Sequence, residues 1–478
     1  MPIRYAFFAF SARAILAPVL ALFLGAASCA SLPDGPRYKG ELRGDGKGGV
    51  VVIPPAAPDE RRDATDMQEA GRASQPDHRK TAAQHPPEAG PTTLKVGPNR
   101  AIRTIAQAAK TARSGDTILI EPGVYAGDVA VFTQERLTIR AVGGRARLEA
   151  NGAHAEGKAI WVVRGGDILV ENIEFIGARV PDRNGAGIRF EKGRLVLRNC
   201  LFSDNENGIL TGTGGSALEI ENSEFSNNGT RAGNGHQLYV GAIPRLRVTG
   251  SYFHNAVGGH LLKSRAAQNI VMYNRLTDEA GGHASYELEF PNGGVAYVVG
   301  NIIQQGPTTE NSSIISVGAE GYRWPKNELY LVSNTIVDDR PANGIFLRIQ
   351  PGMQRLKIMN NLLVGDRKHD IGLFSADQST AGAEGKPVPA STLRTRLGND
   401  LANGEASNNF TVGHDGFEQS ARYDYRLRQR SRMAGKYKSP GTANDIDLAP
   451  HAEYVHPAQT RRLTAPPTVP GAMQSKAY

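Results

Sequence analysis

A short repeat runs through the middle of this 478-residue chain and constrains its fold more than any other feature. Its pattern is apolar, any residue, apolar, any residue, Asn, and its copies end at Asn172, Asn199, Asn222, Gly250, Asn274, Asn301, Asn334 and Asn360. The seven spacings are 27, 23, 28, 24, 27, 33 and 26 residues. A repeat of this length is typical of a solenoid, in which each unit contacts only its neighbours.

The residues within each copy indicate which kind of solenoid forms. Apolar residues alternate with polar ones, which predicts short strands, and the following Asn or Gly predicts a turn. Strands of successive coils would lie about 4.8 Å apart. A leucine-rich repeat would need a helical half, which the spacing lacks, and a β-propeller would need blades of about 40 residues. The sequence therefore predicts an all-β parallel solenoid at 93–378, with the aligned asparagines stacked inside it.

The two ends of the chain lack the repeat and differ from it in composition. Residues 1–28 have a basic start and a fourteen-residue apolar stretch, which predicts a secretory signal. Their end, Ala-Ala-Ser before Cys29, resembles a bacterial lipoprotein box and implies lipidation of Cys29; ordinary cleavage nearby, releasing a soluble protein, is the alternative. Residues 29–92 are rich in Pro and charge, which predicts a flexible linker. Residues 379–478 are expected to form an irregular closing segment and tail.

Composition narrows the classes of function. Two cysteines cannot form a disulfide framework or a thiolate zinc site, and Cys200 is expected to be buried. The net charge of +8 suits a polyanionic partner. We expect an exported monomer in the periplasm, outside the cell or at the outer membrane, held only by a lipid anchor. Such a protein is expected to bind an acidic polysaccharide and not nucleic acid.

Polar residues gather on one outer face of the predicted solenoid. Three successive coils carry HQLYVG (236–241), GHLLKSR (259–265) and SYELEFPNGG (285–294). Strand side chains alternate between two faces, so Leu238, Leu262 and Leu288 are expected to point inward. The side chains then expected outside are Gln237, Tyr239, Lys263, Arg265, Glu287 and Glu289, with His236, His260 and Asn292 at the edges. Spacings of about 6.6 Å along a strand and about 4.8 Å between coils bring them into one patch.

This patch contains the groups that β-elimination at a uronic acid needs. The reaction needs a base for the C5 proton, a cation for the C6 carboxylate and an acid for the leaving oxygen. Lys263, Arg265 and Tyr239 can fill these roles. Glu287 and Glu289 could together hold a hard cation such as Ca²⁺ through oxygen ligands. His236, Gln237, His260 and Asn292 are then expected to bind substrate.

Two resemblances agree with this interpretation. The helix-forming segment 101–112, followed by SGDTILIEPGVY, resembles the N-terminal cap of right-handed parallel β-helix proteins of the pectate-lyase-like superfamily. It implies a right-handed β-helix with an amphipathic helix cap. The Lys-x-Arg and Glu-x-Glu coils are similar to those of calcium-dependent β-helix polysaccharide lyases, which implies a lysine base and a Glu-x-Glu calcium site. In this chain the two coils follow in the reverse order.

Other functions are consistent with the same residues. A glycoside hydrolase could use Glu287 and Glu289, about 6.6 Å apart along the strand. A uronate epimerase would share the proton abstraction of the lyase. A non-catalytic glycan-binding or surface scaffold protein would bind without forming product. The charged residues could also form only a salt-bridge ladder between coils, worth under about 1 kcal/mol per pair at the surface.

Overall fold

The computed structural model describes residues 41–44, 50–53, 90–365 except 232, 234, 310, 342 and 343, then 372–375 and 404–474. The chain divides into two compact units, Met1–Gln84 and His85–Tyr478. In the first, β1 (Glu41–Gly44) pairs antiparallel with β2 (Val50–Ile53). The expected signal and Cys29 lie outside the described residues. No helix in the described residues is long and apolar enough to span a bilayer.

The second unit is a parallel β-solenoid with three faces, which we name A, B and C. The A face contains β3 (Thr93–Val96), β4 (Thr117–Ile120), β7 (Arg136–Ala141), β10 (Asp167–Glu171), β17 (Arg245–Thr249), β20 (Gln268–Met272), β23 (Val295–Val299), β26 (Glu328–Val332), β29 (Arg355–Met359) and β32 (Gly404–Ser407). The B face contains β5 (Gly123–Ala126), β8 (Ala146–Glu149), β11 (Ile173–Ile176), β13 (Leu201–Ser203), β15 (Glu224–Ser226), β18 (Tyr252–His254), β21 (Arg275–Thr277), β24 (Ile302–Gln305), β27 (Thr335–Asp338), β30 (Leu362–Val364) and β33 (Phe410–Val412). The C face contains β6 (Ala130–Phe132), β9 (Ala159–Val163), β16 (Leu238–Val240), β19 (His260–Ser264), β22 (Tyr286–Phe290), β25 (Ser313–Val317), β28 (Ile345–Ile349) and β31 (Gly372–Ser375). Two long strands, β12 (Ala186–Arg198) and β14 (Asn207–Glu221), run from the C face into the A face.

The corner between the A and B faces holds two columns of residues where the sequence predicted one. The first column has positive φ throughout and is formed by Asn172, Asn199, Asn222, Gly250, Tyr273, Gly300, Ser333, Asn360 and Asn408. A left-handed backbone favours Asn and Gly, so asparagines occur here because the corner needs residues that tolerate positive φ. The column after it faces inward and forms the buried ladder.

The buried ladder runs Cys200, Ser223, Ser251, Asn274, Asn301, Asn334, Asn361 and Asn409. Each backbone N–H donates to the side chain of the next coil; the N–H of Asn274, for example, lies 2.9 Å from Oδ1 of Asn301. The predicted stack therefore lies inside the solenoid only at Asn274, Asn301 and Asn334. The other predicted members lie one residue earlier, in the positive-φ column, where the Asn199 amide still donates to Oδ1 of Asn172 at 3.0 Å.

Apolar side chains fill the solenoid between the three faces. Phe175, Phe202, Phe225 and Phe253, one from each of four successive B-face strands, stack with ring centroids 4.5–4.9 Å apart. Their rings are fully buried. Cys200 is buried beside them, as expected, and burial raises the pKa of its thiol to about 11. The repeat thus supplies one core layer per coil.

A single described α-helix, α1 (Ile105–Thr111), precedes β4 and is shorter than the 101–112 expected. The Thr104 side chain accepts from the N–H of Gln107, and the Asp128 carboxylate accepts from the N–H groups of Ile105 and Ala106. These contacts satisfy donors that a helix N-terminus leaves free. Ile105, Ala108 and Ala109 are buried in the solenoid core.

The C-terminal part of the described chain forms three hairpins and two short 3₁₀ turns. The hairpins pair β34 (Phe417–Gln419) with β35 (Asp424–Leu427), β36 (Thr442–Ala443) with β37 (Ile446–Asp447), and β38 (Ala452–Val455) with β39 (Gln459–Arg462). The 3₁₀ turns are His414–Gly416 and Ser420–Arg422. Phe417, Tyr425 and Tyr454 form one apolar cluster with B-face residues such as Tyr252 and Val337. This segment therefore covers part of the solenoid's outside.

Candidate functional site

The outer side of the C face brings together most of the predicted polar residues. Tyr239 in β16 lies in register with Lys263 in β19, which lies in register with Glu289 in β22. Leu238, Leu262 and Leu288 form the adjacent row and are fully buried, as predicted. Arg265 and Glu320 complete what we call the charged patch: Tyr239, Lys263, Arg265, Glu289 and Glu320.

Ion pairs connect the charged patch. The Lys263 ammonium lies 2.9 Å from a Glu289 oxygen and 3.1 Å from a Glu320 oxygen. Arg265 binds Glu320 through both Nε and Nη2, at 2.6–2.9 Å. Its guanidinium also lies 4.9 Å from the centre of the Tyr239 ring, a cation–π contact. One carboxylate, that of Glu320, is thus held by two cations.

The electrostatics of the two glutamates follow from these contacts. Burial opposes the charged form of Glu289, but the hydrogen bond from His260 and the nearby Lys263 outweigh it and lower the pKa of Glu289. Burial likewise opposes the charged form of Glu320, and hydrogen bonds from Arg265 and Lys263 lower its pKa. Both carboxylates are therefore charged at neutral pH.

Two histidines form the floor beside the charged patch, at the edge where the sequence predicted them. His260 Nε2 lies 2.8 Å from Glu289, and the His236 ring stacks on Tyr239 with centroids 5.2 Å apart. Nδ1 of His236 accepts from the backbone N–H of His260. Burial, together with the charges of His260, Lys263 and Arg265, lowers the pKa of His236 well below its usual value. His236 is therefore neutral at pH 7.

Gln237 and Glu287 do not lie on the outer face, which corrects the sequence-based prediction. Both are fully buried inside the solenoid. The strict alternation fails where the chain turns from the B face into the C face, because two consecutive residues point inward there: Leu261 and Leu262 both lie in the core. Gln237 and Glu287 occupy the same position as Leu261. The neighbouring coils have Ile314 and Phe346 there, which is the sequence signal that could have revealed the inward position.

Inside the solenoid, each of these two residues meets other polar groups. The Gln237 amide donates to the carbonyl of His254 at 2.5 Å and accepts from the Asn228 side chain. Glu287 lies 3.4 Å from the Thr309 hydroxyl, and its Oε2 has no hydrogen-bond partner. Burial and the nearby Asp278 raise the pKa of Glu287 well above its usual value. Neither residue is placed to touch a ligand on the C face.

The remaining part of the site comes from the loop after β25, which the sequence interpretation did not use. Trp324 donates its indole N–H to the carbonyl of Arg265 at 3.0 Å. Asn292, predicted at the edge of the patch, is almost fully buried and donates its amide to the carbonyl of Gly321. Asn292 therefore holds the loop that carries Glu320. No repeat pattern marks Glu320 or Trp324, because they lie between strands.

The predicted calcium site does not fit the observed side chains. Glu287 points into the core and Glu289 out of it, so the Glu-x-Glu pair has no common face. Glu289 already binds His260 and Lys263. Within the described residues, no group of three or more His, Cys, Asp or Glu could hold a metal ion. The same geometry separates the two carboxylates proposed for a glycoside hydrolase.

Comparison with known proteins agrees with the fold. Residues 136–282 match the family described as "Right handed beta helix region". The coils of residues 136–282 are therefore similar to those of right-handed parallel β-helices. The chain is similar to the crystal structure of pectate lyase Pel9A, with a TM-score of 0.46 and 13% identity over 75% of this chain and 96% of that one. It is also similar to the PL6 family polysaccharide lyase Pedsa3628 from Pseudopedobacter saltans, with a TM-score of 0.30 and 12% identity over 72% and 97%. At these identities the activity has to be inferred from this chain's own residues.

Proposed function

We propose that the C face binds a uronate-containing polysaccharide and cleaves it by β-elimination. The observation that carries the proposal is the way in which Lys263 and Arg265 hold the Glu320 carboxylate. Arginine binds carboxylates in a planar, two-point fashion, and a neighbouring lysine adds a point charge. A uronate carboxylate has the same chemistry as the Glu320 side chain.

Glu320 lies where the carboxylate of such a substrate could displace it from Lys263 and Arg265. It lies outside the strands, and its side chain is 35% exposed, whereas those of Lys263 and Arg265 are only 13% and 17% exposed. An exposed carboxylate on a loop can exchange at modest cost, because surface ion pairs are typically worth less than about 1 kcal/mol. We therefore infer that the substrate carboxylate replaces Glu320 on Lys263 and Arg265.

In this arrangement Lys263 is a cation and not the base that the sequence suggested. Two carboxylates lie within 3.1 Å of the Lys263 amine and favour its ammonium form, which has no lone pair with which to take a proton. Lys263 and Arg265 together then neutralise the C6 carboxylate, which stabilises the negative charge that develops when the C5 proton leaves.

Tyr239 is the group that we assign to proton transfer. It is half-buried, lies next to Lys263 across the coils and contacts the Arg265 guanidinium. In the proposed cycle the deprotonated oxygen of Tyr239 takes the C5 proton and becomes the phenol, the C5–H electron pair forms the C4=C5 double bond, and the C4–O bond breaks. The phenol then gives that proton to the leaving oxygen, which returns Tyr239 to its starting form.

The experiment is a screen of uronate polymers, read by the absorbance of the unsaturated product. Tyr239→Phe keeps the ring against His236 and Arg265 but removes the hydroxyl, and we expect about 10²–10⁴-fold lower kcat. Arg265→Gln is expected to lose about 10²–10³-fold through lost charge stabilisation. Tyr239→Phe with more than a tenth of the wild-type rate would overturn the assignment.

Glu320→Gln tests the carboxylate-binding step separately. It removes the group that competes with the substrate, so KM is expected to fall several-fold. Glu221→Gln is the matched control, because Glu221 pairs with Arg198 on the A face at 2.9 Å and lies away from the patch. If both variants leave KM unchanged, Glu320 does not occupy the substrate position.

Two further functions share the patch and differ in product. A uronate epimerase would return the C5 proton and yield no new chain ends. A glycan-binding scaffold would bind the polymer without forming any product, and Lys263→Ala would then change binding alone. The pairing of Lys263 with Glu289 and of Arg265 with Glu320, which leaves no free base among these residues, favours this second candidate over the epimerase.

We also propose the cellular setting and the role of α1. The basic, apolar start of the chain supports export, with Cys29 as a lipid anchor and the protein otherwise a monomer. Palmitate labelling of wild type and Cys29→Ala tests the anchor, and equal labelling would exclude it. The buried side chains of α1 support a role as a cap over the N-terminal end of the core.

A further inference from the structure

A cavity lies on the B face, and so not on the C face that carries the charged patch, where the C-terminal hairpins cover the solenoid. Its volume is about 530 Å³. Tyr252, Arg275 and Ile302 of the B face line one side, and Tyr423, Tyr425 and Tyr454 of the hairpin region line the other. We call it the rear cavity. Its size is that of a pocket for a small-molecule ligand.

Aromatic rings around a fixed arginine form the wall of the rear cavity. The Arg275 guanidinium lies 4.8 Å from the centre of the Tyr252 ring and 4.9 Å from that of Tyr423. Glu279 holds it through a 2.6 Å ion pair, and the side chain of Arg275 is only 7% exposed. A wall whose rings are fixed in this way binds the apolar face of a sugar at a low entropic cost.

The hydroxyl of Tyr425 is the second observation that indicates a ligand. Tyr425 lines the rear cavity and is 1% exposed, yet its hydroxyl has no hydrogen-bond partner. A buried hydroxyl without a partner costs about 1–3 kcal/mol, so such groups are rare unless something else satisfies them. The nearby tyrosines do have partners: Tyr252 donates to Glu279, and Tyr454 donates to the carbonyl of Pro457.

The lining of the rear cavity carries more positive than negative side chains, which favours an acidic ligand. The lining includes Arg275, Arg422, Arg426 and Arg461 and the acids Glu279 and Asp424, four cations against two anions. Asp424 pairs with Arg426, and Glu453 outside the lining pairs with Arg461. Arg422 is exposed at the rim. Burial lowers the pKa of His456, the other titratable cation of the lining, so it is neutral at pH 7.

From these features we propose that the rear cavity is a binding site for a short acidic saccharide. The sugar rings lie against Tyr423 and Tyr454, since His254 and Arg275 already occupy the Tyr252 ring, and the Tyr425 hydroxyl bonds to a sugar oxygen. The sugar carboxylate pairs with Arg422. The site binds without cleaving and is independent of the proposed elimination on the C face.

Calorimetric titration with trigalacturonate tests the inference, using the full chain carrying Lys263→Ala to weaken binding at the charged patch. Trigalacturonate is expected to bind this protein more tightly than a neutral galactose trisaccharide does. Adding Tyr425→Phe is expected to lower the affinity about threefold to tenfold, the worth of one hydrogen bond. Adding Arg422→Gln is expected to lower it similarly and to reduce its dependence on salt.

Tyr437→Phe is the matched control, because the Tyr437 hydroxyl is also buried without a partner but does not line the cavity. Its affinity is expected to equal that of the parent protein. Circular dichroism of each variant separates lost binding from lost fold. Unchanged affinity in both Tyr425→Phe and Arg422→Gln would overturn the inference, as would the absence of binding heat with trigalacturonate.

Discussion

Two glutamates on one strand are expected to change stability with opposite dependence on pH. Glu287 and Glu289 are two residues apart in β22, but Glu287 points into the core and Glu289 toward Lys263 on the outside. Burial and Asp278 raise the pKa of Glu287, while His260 and Lys263 overcome burial and lower that of Glu289. Replacement of either by Gln removes the titrating group and leaves the volume nearly unchanged.

Proton linkage determines whether the Glu287 carboxyl makes the protein more or less stable as pH rises. An unfolded Glu has a pKa of about 4.3, and the folded protein keeps the Glu287 proton to higher pH. In that interval the folded state binds more protons than the unfolded state, so the free energy of unfolding falls as pH rises. The loss is about 1.4 kcal/mol per pH unit until the folded pKa is reached. Glu287→Gln has no titrating proton at this position, so its free energy of unfolding does not fall in this way.

The assay is urea unfolding followed by circular dichroism from about pH 2.5 to pH 8, a range that extends below the unfolded pKa of Glu. We expect the free energy of unfolding of Glu287→Gln to be closest to that of the wild type near pH 4. Above that pH the difference in favour of Glu287→Gln is expected to grow by about 1.4 kcal/mol per pH unit until it reaches a plateau. Glu289→Gln is the control and behaves oppositely. Its free energy of unfolding is expected to fall furthest below that of the wild type at neutral pH. The difference shrinks as pH falls below about 4.3, because the lowered pKa of Glu289 in the folded wild type stabilises that protein only above this range. Parallel pH profiles for the two variants would refute the inward position of Glu287.

Three further predictions concern the solenoid's interior and the corner between its A and B faces. Asn301→Ala removes the acceptor of the Asn274 N–H and the donor to the Val271 carbonyl, and is expected to cost about 2–6 kcal/mol at 1–3 kcal/mol per orphaned group. In urea unfolding, a cost under about 1 kcal/mol would contradict the ladder's role. Phe225→Ala is expected to cost about 3–5 kcal/mol, since the ring is fully buried in its stack; a loss below about 1.5 kcal/mol would show that the stack relaxes freely. Asn172→Gly keeps the left-handed backbone but removes the side-chain hydrogen bonds to the carbonyls of Ala141 and Gly144, so by the same assay it is expected to cost about 1–3 kcal/mol at about 0.5–1.5 kcal/mol per bond. A loss below about 0.5 kcal/mol would show that only the backbone conformation matters at this corner.

Much of the fold could be predicted because each coil repeats the same physical requirement. Apolar residues at alternate positions must face the core, and this places Leu262 inward and Lys263 outward without any tertiary information. The same rule failed for Gln237 and Glu287, because a corner between two faces places two consecutive residues inside. It also misplaced the ladder by one residue at Asn360, since Asn serves both a left-handed backbone and a buried hydrogen bond.

The parts of the site that the sequence did not predict come from outside the repeat. Glu320 reaches Arg265 across 55 residues of sequence, from a loop with no periodicity. Tyr425 reaches the B face from a hairpin whose sequence only suggested an irregular closing segment. Such contacts depend on how loops and hairpins pack on the finished solenoid, and local patterns carry no information about them.

The chemical structure of the product tests the central claim most directly. We predict that wild-type protein cleaves a uronate polymer to fragments with an unsaturated uronate at the new end, each lighter by one water than the hydrolysis product. Tyr239→Phe should bind the same polymer and release these fragments at least about 100-fold more slowly. Saturated ends in the mass spectrum, or no cleavage of any polymer that the C face binds, would contradict β-elimination at this site.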